Sequence, residues 1–167
     1  MDIEQRVQRL EDIEAIRCLQ ARYQRCLDTR DFTSLADCFT EDAVSSYDGG
    51  KMSYCGREEI VAFLKKVMTL DMPSSHLIHG GEIEVVDGTT ANAKWYLEDH
   101  LLHKKFLVKL HGAAIYDIGY VKVDGNWKIS RIGYQRCYQY VECRGLVNLL
   151  SLGKTTFLDA LKKRKRP

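Results

Sequence analysis

Apolar residues recur at three- and four-residue steps through Ile3, Val7, Leu10, Ile13, Ile16, Leu19, Ala21, Tyr23 and Leu27, with charges on the opposite side. That period predicts a long amphipathic helix over residues 2–27. Asp31-Phe32-Thr33-Ser34 reads as an N-cap into a short second helix, with Leu35, Ala36 and Phe39 turned inward and Thr40-Glu41-Asp42 at its end. Ala43–Tyr47 and Lys51–Tyr54 flank Asp48-Gly49-Gly50, a hairpin signal because Asp-Gly and Gly-Gly supply the positive φ of tight turns. A third helix is expected over 58–68, with Ile60, Phe63, Leu64 and Val67 on one face.

Beyond Pro73 the period shortens to two. Strand-like runs cover 76–86, 91–103, 110–122 and 126–140, with Asp87-Gly88 and Asp124-Gly125 marking turns. Alternation puts Ala91, Ala93, Trp95, Leu97, Asp99 and Leu101 on one face, and Lys94, Tyr96, Glu98 and His100 on the other. An aspartate thus shares a face with a tryptophan and leucines, where a carboxylate needs a partner or a proton. Residues 145–161 are expected to form another helix or a lid. Helices followed by a long antiparallel sheet define an α+β fold with the helices on one sheet face. Strong curvature would turn it into a cone with an apolar cavity and one open mouth.

At 167 residues the chain forms one domain, large enough to enclose a pocket without disulfides. No apolar run reaches the ~20 residues of a membrane span, and the start has no signal-like apolar region, so a soluble cytoplasmic protein is expected. The six cysteines, with no C-x-x-C pair, are expected to be mostly buried free thiols. Removing the five positive charges of residues 162–166 from the net +2 leaves the body at −3, so that basic end reads as a solvated tail and no nucleic-acid partner is expected.

Each residue that could carry chemistry also has an ordinary structural role. His76 could be a hydrogen-bonded strand residue, Asp28 a helix-terminal carboxylate, Tyr23 a core aromatic, and Arg136 half of a cross-strand surface pair. His79, His100, His103 and His111 match no ligand spacing such as H-E-x-x-H, and no metal is expected. G-x-G-x-x-G, Walker and G-x-S-x-G motifs are absent; Gly153-Lys154-Thr155 lacks the upstream glycine of a P-loop, Asn148 standing there. Nucleotide-dependent and serine-hydrolase chemistry are set aside on that ground.

Tyr23-(x4)-Asp28 at the end of the first helix, His76 at a strand start, Trp95-Tyr96-Leu97-Glu98-Asp99, Asp124 to Ile129 and Gly133-Tyr134-x-Arg136 together resemble the SnoaL-like branch of the NTF2-like superfamily. Within it, Tyr23 to Asp28, Ser46 to Lys51 and Trp95 to Asp99 look most like the bile-acid 7α-dehydratases. The resemblance covers residues 1–142 as a SnoaL-like domain, with 143–167 a C-terminal extension. It implies a cone-shaped pocket and a cofactor-free hydro-lyase that removes water from a hydroxylated steroid-like or polycyclic ketone. His76 would be the base, since imidazole titrates near neutral pH, and Asp28 would orient it. Tyr23 would donate to the substrate oxygen. Asp99 would either protonate the leaving hydroxyl or anchor His76. Arg136, Trp95 and Tyr54 would contact the substrate, Arg136 either countering its charge or holding Asp99 ionised. The expected partners are a small hydrophobic substrate, free or as a coenzyme A thioester, and further copies of the chain in a trimer or dimer. A related isomerase, dehydrohalogenase or polyketide cyclase, or a binding module without turnover, would use the same pocket.

Overall fold

The structure, a computed structural model, describes residues 1–143 and the backbone of 146–152. Helix α1 (Ile3–Thr29) starts at a capping box in which the Asp2 side chain accepts from the Gln5 amide and the Gln5 side chain accepts from the Asp2 amide. It ends at Arg30 in the left-handed conformation (φ 62°). A short α2 (Phe32–Ala36) is capped by Asp31. Strands β1 (Phe39–Tyr47) and β2 (Met52–Cys55) form a hairpin around a 3₁₀ turn at Asp48–Gly50, where Gly49 takes the positive φ the sequence anticipates. Helix α3 (Arg57–Val67) follows, and then β3 (Ser74–Val85), β4 (Thr90–His103), β5 (Val108–Val123) and β6 (Asn126–Cys143).

The sheet order is β2-β1-β6-β5-β4-β3, antiparallel except where β1 runs parallel to the start of β6. A further strand, β7 (Leu146–Leu152), pairs with the far end of β6, on residues that β1 does not reach. This corrects the expectation of a helix for that stretch; residues 145 and 153–161 lie outside the described residues. The α+β class is as expected: α1 and α3 lie across one face of a curved sheet, and the core between them includes Ile16, Leu35, Phe39, Ile60, Ile118, Ile129 and Ile132.

Three other expectations change. Phe39 opens β1 instead of closing α2. Of the apolar stripe of α1, Ile16, Leu19, Tyr23 and Leu27 are buried and Ala21 is exposed; Ile3, Val7 and Leu10 are exposed because a 27-residue helix, about 40 Å long, outruns the sheet it packs on. Among the six free cysteines only Cys26 and Cys38 are buried, while Cys18, Cys55 and Cys137 are exposed. No helix among the described residues is long and apolar enough to cross a membrane.

Candidate active site

The inward face of the sheet divides into a filled end and an open end. In β4, Ala91, Ala93 and Trp95 are core, whereas Leu97, Asp99 and Leu101 line a cavity of about 260 Å³. In β5 the filled end is Ile118 and Tyr120 and the cavity end is Tyr116 and Leu110, with the small Gly112 and Ala114 between them leaving room. In β6, Ile129 and Ile132 give way to Tyr134, Arg136 and Gln139. Helices α1 and α3 supply Tyr23, Leu27, Phe63 and Leu64, and Met68 and Met72 close one side.

His76 lines this cavity, and its imidazole is held from behind by Asp28, with Nδ1 to Oδ1 at 2.6 Å. The other carboxylate oxygen accepts the His76 backbone amide at 2.8 Å, and Ser74 Oγ donates to Oδ1 at 2.7 Å. Burial alone would raise the Asp28 pKa. The hydrogen bonds from the His76 ring and amide, the charge of His76 and the Ser74 hydroxyl outweigh it, and Asp28 stays below the ordinary carboxylate value. An ionised Asp28 accepting from Nδ1 assigns the ring proton to that nitrogen, leaving Nε2 as the acceptor. Helix α1 carries Asp28 on its last turn and β3 carries His76 near its start, so the pair joins two elements distant in sequence.

Tyr23, Tyr47 and Tyr116 are all buried and all line the cavity. Burial first, then the proximity of the other phenols, drives the Tyr23 pKa well above its ordinary value; burial does the same for Tyr47 and Tyr116. These are neutral hydroxyl donors at any working pH, and among the described residues the Tyr47 hydroxyl has no hydrogen-bond partner.

Asp99 is 2% exposed and gripped by Arg136 fork on fork, Nη1 to Oδ1 at 2.7 Å and Nη2 to Oδ2 at 2.5 Å. The guanidinium also lies over the Tyr134 ring, 4.9 Å from its centroid. Burial would lower the Arg136 pKa, but hydrogen bonds to Asp99 and its charge raise it. Asp99 is therefore a paired carboxylate. The His76 ring nitrogen pairs with Asp28 and not with Asp99, although His76 and Asp99 face each other across β3 and β4. Both terminal nitrogens of Arg136 are thus committed to the Asp99 carboxylate.

Of the expected site residues, the structure gathers Tyr23, His76, Asp99 and Arg136 around the cavity, with Asp28 directly behind His76. It excludes two. Trp95 belongs to the filled end, where its Nε1 donates to Tyr120 Oη (3.1 Å) and Tyr120 in turn donates to Gln20 Oε1 (2.8 Å). Tyr54 stacks on Phe63 (centroids 4.5 Å apart), and Phe63, not Tyr54, lines the cavity. Tyr47, Tyr116 and Gln139 also line the cavity and Ser74 braces Asp28, four residues outside the expected site set. The β1 alternation, with Ser45 and Tyr47 facing inward, was the available signal for Tyr47.

Helices seated in the concave side of a curved sheet, enclosing an apolar pocket with a histidine–carboxylate pair, define a protein of the NTF2-like fold. Residues 8–133 match the family model of the SnoaL-like domain, and the chain belongs to that family. Solved structures agree. A protein of Novosphingobium aromaticivorans provisionally named a scytalone dehydratase is 26% identical, with a TM-score of 0.74 over 79% of this chain and 88% of its own. A Mycobacterium tuberculosis protein of unknown function is also 26% identical, with a TM-score of 0.67 over 77% of this chain and 73% of its own. The LinA-type3 hexachlorocyclohexane dehydrochlorinase of Novosphingobium barchaimii is 20% identical, with a TM-score of 0.71 over 87% and 94%, a likeness of fold.

Proposed function

We propose that this protein is a cofactor-independent lyase that eliminates water from a hydroxylated polycyclic or steroid-like ketone. The observation that carries the reading is the Asp28–His76 pair presented to an apolar cavity beside three neutral phenols. The name borne by the Novosphingobium aromaticivorans relative supports it.

In this reading His76 Nε2 takes a proton from the carbon next to the carbonyl or, for a δ-hydroxy enone, from the γ carbon that the conjugated carbonyl acidifies. The C–H electrons form the new C=C bond as the C–O bond to the β, or vinylogous δ, hydroxyl breaks. Tyr23 donates to the carbonyl oxygen as negative charge gathers there, an interaction worth about 10²–10³ in rate. The leaving hydroxide needs a proton, and an ion-paired Asp99 has none to give. The imidazolium just formed on His76 supplies it, so one residue acts as base and then acid, and the protein ends in its starting protonation state.

The enclosed volume of about 260 Å³ lies just below the ~300–1,000 Å³ usual for drug-sized ligands. One or two rings would be enclosed, and the remainder of a larger substrate would extend past Met72, Leu101, Leu110 and Gln139. A panel of β-hydroxy ketones from one ring to four, followed by the rise of conjugated-enone absorbance, tests the reading; no absorbance change with any member, despite binding, would favour a non-catalytic module.

The outer face of the sheet, where Leu77, Tyr96 and Tyr138 are exposed, supports a homo-oligomer, trimer or dimer. Sedimentation velocity checks it, and a monomer at tens of micromolar protein would rule it out.

A further inference from the structure

Arg30 follows the last turn of α1 in the left-handed conformation (φ 62°, ψ 27°). A side chain with a Cβ is disfavoured there, and glycine or asparagine is the usual occupant. The guanidinium shows what an arginine adds. On one side Nη1 donates to the carbonyl of Asp28 at the end of α1. On the other, Nη2 donates to the carbonyls of Thr69 and Met72, in the segment leading into β3. Between them Nη1 donates to Ser74 Oγ at 3.0 Å, and that hydroxyl donates to Asp28 Oδ1 at 2.7 Å.

The consequence is directional. An N–H pointing at Ser74 Oγ occupies a lone pair of the hydroxyl and turns its proton toward Asp28. Asp28 Oδ1 then accepts from both Ser74 and the His76 ring, while Oδ2 accepts the His76 amide. The backbone that carries Asp28 and the backbone that carries His76 are fastened by the same guanidinium. A lysine could not do this, because an ammonium lacks the planar fork that reaches both sides at once.

We propose that Arg30 is the positioning residue of the Asp28–His76 pair: it sets the orientation of Asp28 through Ser74 and thereby fixes the His76 proton on Nδ1. It does not touch the cavity. The inference rests on the proposed role of His76, but its test does not require that role to be right.

The test is the downfield proton NMR signal of a His76 Nδ1–H bonded to Asp28, recorded for the wild type and for R30G, with H76A assigning the signal. Glycine relieves the left-handed backbone while deleting the clamp, so the two effects on folding oppose each other. The proposal expects the signal to be lost or exchange-broadened in R30G and restored by millimolar guanidinium ion. Where a turned-over ketone is in hand, kcat should fall about 10²-fold with KM nearly unchanged, the scale of an ångström-level misplacement. A sharp, unshifted signal in folded R30G would overturn it. Should R30G fail to fold, S74A removes only the intermediate hydroxyl: weakening of the signal supports the relay, and an unchanged signal overturns it. The signal is read whether or not the protein dehydrates any ketone, so failure of the proposed function and failure of this inference remain distinct.

Discussion

Arg136 reaches Asp99 across β5 because residue 112, which lies between their strands, has no side chain. A Cβ on Gly112 would stand 2.4 Å from Arg136 Nη1 and 2.6 Å from Asp99 Oδ1. The glycine is needed for space, since its φ lies outside the positive range. G112A is expected to displace the pair and cost about 1–3 kcal/mol, the scale of overpacking a filled site. Urea denaturation measures it; an unchanged midpoint would mean that the fork can move aside freely.

The same pair can also be broken from one side. D99A leaves the half-buried Arg136 charge without its partner and is expected to cost up to about 3 kcal/mol. Replacing both residues by apolar ones, as in D99L/R136M, should recover most of that loss while leaving the pocket altered. A double-mutant cycle in urea checks both, and strict additivity of the two single substitutions would show that they do not act as a pair.

Y23F removes one hydroxyl from the cavity and no carbon. It is expected to lower kcat about 10²–10³-fold with the melting curve little changed, as for loss of one donor to a developing oxyanion. Full activity in Y23F would transfer that role to Tyr47 or Tyr116, which line the same cavity.

Acid sensitivity follows from Asp12 and Asp28. Burial would raise the Asp12 pKa, but hydrogen bonds from Lys122 (2.6 Å) and Trp127 (3.0 Å), the lysine charge and Gln8 hold it below 3.8. Asp28 is lowered likewise. A carboxylate with a depressed folded pKa binds fewer protons folded than unfolded. Its contribution is complete above the unfolded value and is lost as pH falls through the folded one. Stability should therefore hold from neutral pH to about 5 and fall below about 4. D12N should show a shallower fall than the wild type, whatever its stability at pH 7; an equally steep fall would remove Asp12 from the account.

Alternation in β4 correctly assigned Asp99 to the buried face with Trp95, and the Asp-Gly turns set the hairpins. Depth along the cone was not legible. Trp95 and Asp99 share a face, yet four residues along a strand span about 13 Å, enough to separate the filled end from the cavity. Arg136 was harder, because β6 does not keep one parity. Register shifts opposite Gly119/Tyr120 and Ala113/Ala114 move the inward set from Trp127 and Ile129 to Ile132, Tyr134 and Arg136, and then to Gln139. Unbroken alternation from Trp127 would have sent Arg136 to the outer face, where a surface ion pair is the natural expectation. Tyr138 and Tyr140 do lie on that outer face, stacked with His111, while Tyr116 and Tyr134 turn into the cavity. The Asp28–His76 contact joins residues 48 apart and was accessible only through family resemblance.

The most direct test of the central claim is mass spectrometry of a β-hydroxy polycyclic ketone incubated in deuterated water with the wild type and with H76A. The account predicts a product lighter by one water from the wild type and unchanged substrate from H76A, with the variant folded and still binding. Water loss of equal rate in H76A would contradict the assignment of His76. Deuterium uptake without water loss in the wild type would replace elimination by isomerase- or cyclase-type chemistry at the same base.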